Sequence, residues 1–251
     1  MAGSSSSGGD DDYTVEETDP SGDYTRYKNL IEESSSKSVF KGYDRPNGKE
    51  VAWIKRLKGM IVAEKEAYLM RLNHSNVLKC YYSWDNQETN TLDQITENYS
   101  GNLSDFIENH TNFSGTSLAV IQNWSLQIIE ALLYLHEQHI LVIQNNLRIE
   151  NLYVVGESGT VKIGDLSDAT FITTEALLQM EMEAGDPATD AAGRAMQEEI
   201  QRFGQCVLQM VTKSLRGKLI IDKQCKNFIK SCFLPGDTQP TLEELLHQAM
   251  L

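Results

Sequence analysis

The sequence predicts an α+β fold in two lobes, a small β-rich one first and a larger, mainly helical one second. Three observations carry it. Strand-patterned segments crowd between Arg26 and Asp93, apolar residues spaced by three and four take over after Gly101, and 251 residues suffice for one large domain or two lobes.

Residues 1–23 are Ser, Gly and acid with almost no large apolar side chain, so burial there offsets too little of the entropy of ordering; a disordered, solvating tail is expected. Residues 24–98 are expected to form the first lobe and 99–251 the second. In the first, KSVFKGYD, EVAWIKRL and LKCYYSWD read as strands, with Pro46, Asn47 and Gly48 making a tight hairpin between the first two. One helix interrupts them, AEKEAYLMRLNH, with Ala63, Ala67, Leu69, Met70 and Leu72 on its apolar face.

In the second lobe, SLAVIQNWSLQIIEALLYLHEQH places Ile121, Trp124, Ile128, Leu132 and Leu135 on one stripe, which belongs in a core. Two short strands, ENLYVV and TVKIGDL, flank a turn at Gly156 to Gly159. Helices are expected near EIQRFGQCVLQMVT, KQCKNFIKSCF and TLEELLHQAM. Trp84, Trp124 and the Met residues read as core, while His136 and His139 close a helix without a carboxylate or cysteine partner evident from the sequence.

Composition excludes some functions. A net charge of -14, from 22 basic against 36 acidic residues, repels phosphate backbones and anionic lipid, so neither nucleic acid nor membrane is expected as a partner. Cys80, Cys206, Cys225 and Cys232 lack CxxC spacing, which favours reduced thiols over a metal or disulfide framework. No basic segment followed by an apolar stretch opens the chain, and no apolar run is read as reaching membrane-spanning length. The expected location is cytoplasmic, nuclear or both.

From about Arg26 to the C-terminus, KSVFKGYD with EVAW, LLYLHEQH with VIQNNLRIENLYV, GESGTVKIGDL and FGQCVLQMVT follow one another in an order that resembles the protein kinases. Within them the chain is similar to the plant with-no-lysine kinases. The resemblance implies a bilobal protein-kinase-like fold, with a shortened activation segment and C-lobe, and a site for ATP and Mg²⁺ that positions a phosphoryl group and neutralises its charge.

Several parts of that site are altered. The first two glycines of the phosphate-covering loop fall at Glu32 and Ser34, with Glu33 between them. Either the two acids face the phosphates, costing roughly 1 to 4 kcal/mol at 4 Å depending on the effective dielectric, or they are solvated and point away. The third-strand lysine of ordinary kinases is Ile54. The with-no-lysine pattern puts a lysine in the preceding strand, here Lys37, read as the one basic group at the phosphates or else as an exposed strand lysine; Lys55 faces the other side. The helical glutamate that holds such a lysine falls at Lys65, and Glu64 and Glu66 beside it are each rotated by about 100°. The resemblance also places Ile31, Val39, Ala52, Glu97, Tyr99 and Asn151 around a nucleotide.

The His-Arg-Asp of the catalytic loop falls on Gln144, Asn145 and Asn146. Asn146 stands at the base position, and an amide has no basic oxygen for a substrate proton, a contribution of roughly 10² to 10⁴ in rate. Arg148 takes the neighbouring lysine position, and Asn151 and Asp165 keep the metal-binding positions. Asp165, Leu166 and Ser167 replace Asp-Phe-Gly, and Asp168 sits where a chloride-binding leucine would be, which argues against chloride sensing. Gly185, Asp186 and Pro187, then Ala191, Ala192 and Gly193, replace the substrate segment without its closing glutamate, whose arginine partner is Gln239. A helix is deleted between Thr212 and Asp222.

The expected function is that of a catalytically impaired kinase-like signalling protein, a scaffold or allosteric partner of another protein such as an active kinase or its substrate. Two alternatives stay open: a weakly active serine/threonine kinase using Lys37, Asn151 and Asp165 with Mg-ATP, and a protein that binds ATP without transferring it.

Overall fold

The computed structural model describes residues 13–57, 63–109, 117–156, 159–173, 175–176, 187–215 and 222–250. The chain divides into two compact units, residues 1–73 with 79–98, and residues 74–78 with 99–251.

The first unit is a six-stranded antiparallel sheet in the order β1-β2-β3-β4-β6-β5, with one helix. Its strands are β1 (Val15–Thr18), β2 (Tyr24–Glu33), β3 (Lys37–Asp44), β4 (Lys49–Leu57), β5 (Cys80–Asn86) and β6 (Thr91–Glu97). The β3–β4 hairpin forms where Pro-Asn-Gly predicts it: Gly48 takes a φ of 64°, and the Asp44 carboxylate accepts from the Asn47 main-chain N–H at 3.0 Å. The two strands then pair without a break from Lys37 opposite Arg56 to Asp44 opposite Lys49.

Alternation gives the sheet two faces. On one, Val51, Trp53 and Ile95 are buried under Tyr24, Phe40, Tyr81, Tyr82 and Trp84. On the other lie Lys37, Val39, Ala52 and Ile54. Strand β6 escaped the sequence reading because Asp93, Gln94 and Thr96 break its apolar pattern, yet all three are buried. The Trp53 indole N–H and Lys55 both donate to Asp93.

Two expectations are corrected here. Strand β1 lies inside residues 1–23, expected to be a disordered tail; Glu17 binds Arg26 at 3.0 Å and Lys55 at 2.9 Å, and Asp19 accepts from the Tyr24 N–H at 2.7 Å. Charge and backbone hydrogen bonds order this stretch, where composition counted only apolar burial. Residues 1–12 lie outside the described residues. The helix expected to reach His74 is α1 (Ala63–Leu69), which buries Leu69 but exposes Ala67.

The second unit is mainly helical. It holds α2 (Leu103–Asn109), α3 (Leu118–His136), α4 (Pro187–Leu215), α5 (Lys223–Ser231) and α6 (Leu242–Met250). Strands β7 (Gly101–Asn102), β9 (Leu152–Val155) and β10 (Thr160–Ile163) form one sheet, and β8 (Ile140–Ile143) pairs with β11 (Thr170–Thr173). Ser117 caps α3, and Ile121, Trp124, Ile128, Leu132 and Leu135 are all buried, as its periodicity predicts. Although α3 is long and apolar enough to cross a membrane, with 19 residues and a mean hydropathy of 1.3, which corrects the expectation that no run is, its apolar stripe is core.

Helix α4 is longer than expected near Glu199–Thr212: it starts at Pro187, a residue suited to the first turn, and runs through Ala192 and Gly193. At α6, Thr241 and Glu244 cap one another, the Thr241 N–H donating to the Glu244 carboxylate at 3.0 Å. Gly185, Asp186 and most of the stretch between Thr212 and Asp222 expected to lack a helix lie outside the described residues.

Candidate functional site

In the first unit the β2–β3 connection is the candidate phosphate loop. Ser34 closes it: its N–H donates to the Lys37 carbonyl at 2.8 Å, and its Oγ accepts from the Lys37 N–H at 3.1 Å. This turn sets Glu32 opposite Val39 and Glu33 opposite Ser38, with Ile31 in a bulge where the register shifts between Leu30 and Glu32. Glu32 is thus the diagonal neighbour of Lys37. Its Oε1 lies 2.8 Å from the Lys37 Nζ, with 6% of the lysine side chain and 26% of the glutamate exposed.

Lys37 is therefore a buried, paired cation and not an exposed strand lysine. Of the two loop acids, Glu32 turns to Lys37 while Glu33 is exposed. A buried ammonium needs such a partner, since leaving it unpaired costs several kcal/mol on the order of magnitude seen for buried ions. Val39 and Ala52 are fully buried and Ile54 nearly so on the same face. Lys55 points to the opposite face and binds Asp93 at 2.8 Å and Glu17, as alternation requires. The Glu97 carboxylate accepts from the Lys79 N–H at 2.8 Å. Lys65 is half-buried on α1, and the side chains of Glu64 and Glu66 lie outside the described residues.

In the second unit Tyr99 is buried against Tyr153, their rings 4.5 Å apart. The loop after β8 brings together the other predicted residues. Gln144 is fully buried and donates from Nε2 to the carbonyls of Gly164 and Asp165, each at 3.2 Å. Asn145 donates to the Asp168 carbonyl at 2.8 Å and to the Thr170 hydroxyl at 2.7 Å. Asn146 donates from Nδ2 to the Asp168 carboxylate at 3.1 Å. Asn151 donates from Nδ2 to the Asn146 carbonyl at 2.9 Å, while its own carbonyl accepts from the Gly164 N–H at 3.2 Å. Gly164 is required there, because a Cβ would sit 2.5 Å from the Tyr153 ring. Arg148 is exposed.

Asp165 adopts left-handed backbone angles, φ 53° and ψ 59°, and its Oδ1 accepts from the Ser167 hydroxyl at 2.6 Å. Asp tolerates that region better than most residues. Three links escaped the sequence reading. Ser167, read only as a lost glycine, holds Asp165; Asp168 pairs with the base position; and Glu199 of α4, fully buried, accepts from the Gln144 main-chain N–H and lies 2.6 Å from the His136 Nε2. This corrects the reading of His136 as lacking a carboxylate partner. Glu199 stands next to buried Ile200 and in the same helix as buried Phe203, and an acid on such a stripe is the signal that was available.

Gln239, at the position of a buried arginine, donates to the carbonyls of Cys232 at 2.7 Å and Gln197 at 3.2 Å. A Cβ at Gly193, the position of that arginine's partner, would meet nothing within 4 Å. Among the described residues no cluster of three or more His, Cys, Asp and Glu is placed to hold a metal.

Residues 26–188 match the family model of the protein kinase domain. The chain is 32% identical to the serine/threonine-protein kinase WNK8 of Arabidopsis thaliana, over 91% of this chain and 46% of that protein. It is 31% identical to the probable kinase WNK10 of the same plant (93% and 50% covered) and 32% identical to the probable kinase WNK6 of Oryza sativa subsp. japonica (88% and 52%). The chain thus spans about half the length of these curated relatives. The crystal structure of Rad53 1-466 in complex with AMP-PNP superposes with a TM-score of 0.70 at 18% identity, covering 92% of this chain and 66% of that one, which speaks for the fold alone. With a β-sheet N-lobe, a helical C-lobe and these relatives, the chain belongs to the protein kinase family and is related to the with-no-lysine serine/threonine kinases.

Proposed function

We propose that this kinase-domain protein is a catalytically impaired signalling module, a pseudokinase that acts as a scaffold or allosteric partner of another protein, such as an active kinase or its substrate. One observation carries the reading: the base position holds an amide, Asn146, engaged as a donor. An amide donor takes up no proton from an attacking hydroxyl. The net charge of -14 favours a protein partner over nucleic acid or membrane, and the plant relatives support a plant protein; the location proposed is cytoplasm, nucleus or both. The test is a phosphotransfer assay of the purified chain with Mg-ATP. No transfer is expected; a robust rate that Asp165→Ala abolishes refutes the proposal.

Bound nucleotide fits this role as an allosteric ligand. Asn151 turns its amide nitrogen to the Asn146 carbonyl, so its oxygen is the end that would meet Mg²⁺, with the Asp165 carboxylate as the second ligand. The kinase resemblance assigns Lys37 to the phosphates, and Ile31, Val39, Ala52 and Glu97 of the first unit and Tyr99 of the second to the nucleotide. That a related fold takes AMP-PNP supports this reading.

A second reading, residual serine/threonine kinase activity, is favoured by Asp168, an exposed carboxylate hydrogen-bonded to the base position. Transfer lost on Asp168→Asn at unchanged ATP affinity is its signature.

A further inference from the structure

We infer that Glu32 is a specificity-determining residue: by placing its carboxylate on Lys37, where a phosphate oxygen would sit, it makes this face of the sheet take a nucleoside in preference to a nucleoside triphosphate. The inference rests on the reading of Lys37 as the cation of the nucleotide site.

The Glu32 Oε1 is 2.8 Å from the Lys37 Nζ, the separation a phosphate oxygen would take. The contact is built into the hairpin, because Ser34 binds both the N–H and the carbonyl of Lys37 and fixes the register that puts Glu32 opposite Val39. A phosphate that reaches Lys37 has to displace a carboxylate already in place, so one anion is exchanged for another with little net Coulomb gain. The released Glu32 then stands beside the phosphate as a like charge, while Glu33, opposite Ser38, belongs to the other face of the sheet. The neighbouring Val39, Ala52 and Ile54 are apolar and buried, so a purine ring that reaches them gains the same contact whatever its phosphate count. Each added phosphate therefore lowers affinity.

Calorimetry of the full chain with adenosine and with Mg-ATP tests this, on the wild type, Glu32→Gln and Glu33→Gln, with melting temperatures to check folding. The wild type is expected to bind adenosine at least about tenfold more tightly than Mg-ATP. Glu32→Gln tightens Mg-ATP by about tenfold, or 1.4 kcal/mol, and leaves adenosine unchanged. Glu33→Gln makes the same charge change without touching Lys37 and shifts Mg-ATP by less than about threefold. Should Glu32→Gln melt early, Glu32→Asp, with its carboxylate drawn back by one methylene, gives an intermediate ratio. The inference is overturned if the wild type prefers Mg-ATP, or if neither Glu32 variant moves the ratio. Absence of binding by either ligand to every variant overturns the nucleotide reading as well, while the phosphotransfer assay still decides the non-catalytic role.

Discussion

Asn146 and Asp168 are hydrogen-bonded side chain to side chain, amide nitrogen to carboxylate, at 3.1 Å across 22 residues of sequence. The kinase loop thus keeps its folded course with a neutral donor at the base position and the acid displaced to the start of the next segment. Asn145 and Gln144 bind that same segment through main-chain carbonyls, so neutral hydrogen bonds add to those that the Asp168 and Glu199 carboxylates make with the loop.

Returning the carboxylate alone should not return activity. Asn146→Asp sets two carboxylates about as close as the present amide and acid, a repulsion of about 1 kcal/mol in water-like surroundings, and raises the proton affinity of one of them. The double variant Asn146→Asp with Asp168→Asn keeps one acid and one amide in swapped places. It is expected to raise single-turnover phosphotransfer by about 10² or more over the single variant, and equal rates for the two would show that the base position is not what limits transfer.

Glu199 should matter more for stability than any residue of the loop it supports. Its buried carboxylate takes the Gln144 N–H and faces His136, so Glu199→Ala leaves both without it and is expected to cost about 3 to 5 kcal/mol in urea unfolding. Glu199→Gln, which keeps an acceptor of similar size, should cost about 1 to 3 kcal/mol. Equal losses for the two would mean that the charge, not the packing or a neutral acceptor, is what Glu199 supplies.

These pairs show where sequence reasoning stops. The stripe on α3 was legible because five apolar residues repeat at helical spacing and all face inward, and the β3–β4 hairpin because Asn47 and Gly48 favour one kind of turn. The replacements of the family's residues by Asn146, Ile54 and Lys65 needed only the aligned sequence. Pairing was not: Glu199 lies 55 residues from Gln144, and nothing local to either names the other. Strand β1 was missed for a different reason, as its stability comes from ions and edge hydrogen bonds, which composition does not weigh.

The order of β1 should therefore depend on Glu17. This carboxylate binds Arg26, Lys55 and the Asn86 amide, and the Lys28 N–H donates to the Thr14 carbonyl at 3.2 Å alongside. Glu17→Ala is expected to lower global stability by only about 1 kcal/mol, because the pairs are partly solvated. Amide exchange of residues 15–18 and of Lys28 should speed up while that of β3 and β4 stays unchanged. Unaltered exchange at Lys28 would assign the order of β1 to its backbone bonds alone.

Alkaline pH should unfold the helical unit through its thiols. Burial pushes the Cys206 and Cys232 thiols up to about 12 from the ordinary thiol value of 9.0. At pH 8 both stay protonated and inert, so a thiol-specific reagent should leave them unlabelled in the native chain and reach them only in urea. Their folded pKa lies above the unfolded one, so the unfolded state releases its protons first. The stability these thiols contribute is full below pH 9 and declines as the pH rises from about 9 towards 12, by at most about 1.4 kcal/mol per pH unit for each thiol. Cys206→Ala with Cys232→Ala should flatten that slope in urea titrations between pH 8 and pH 10, at a packing cost that does not vary with pH. A slope unchanged in the double variant would place the alkaline sensitivity in other groups.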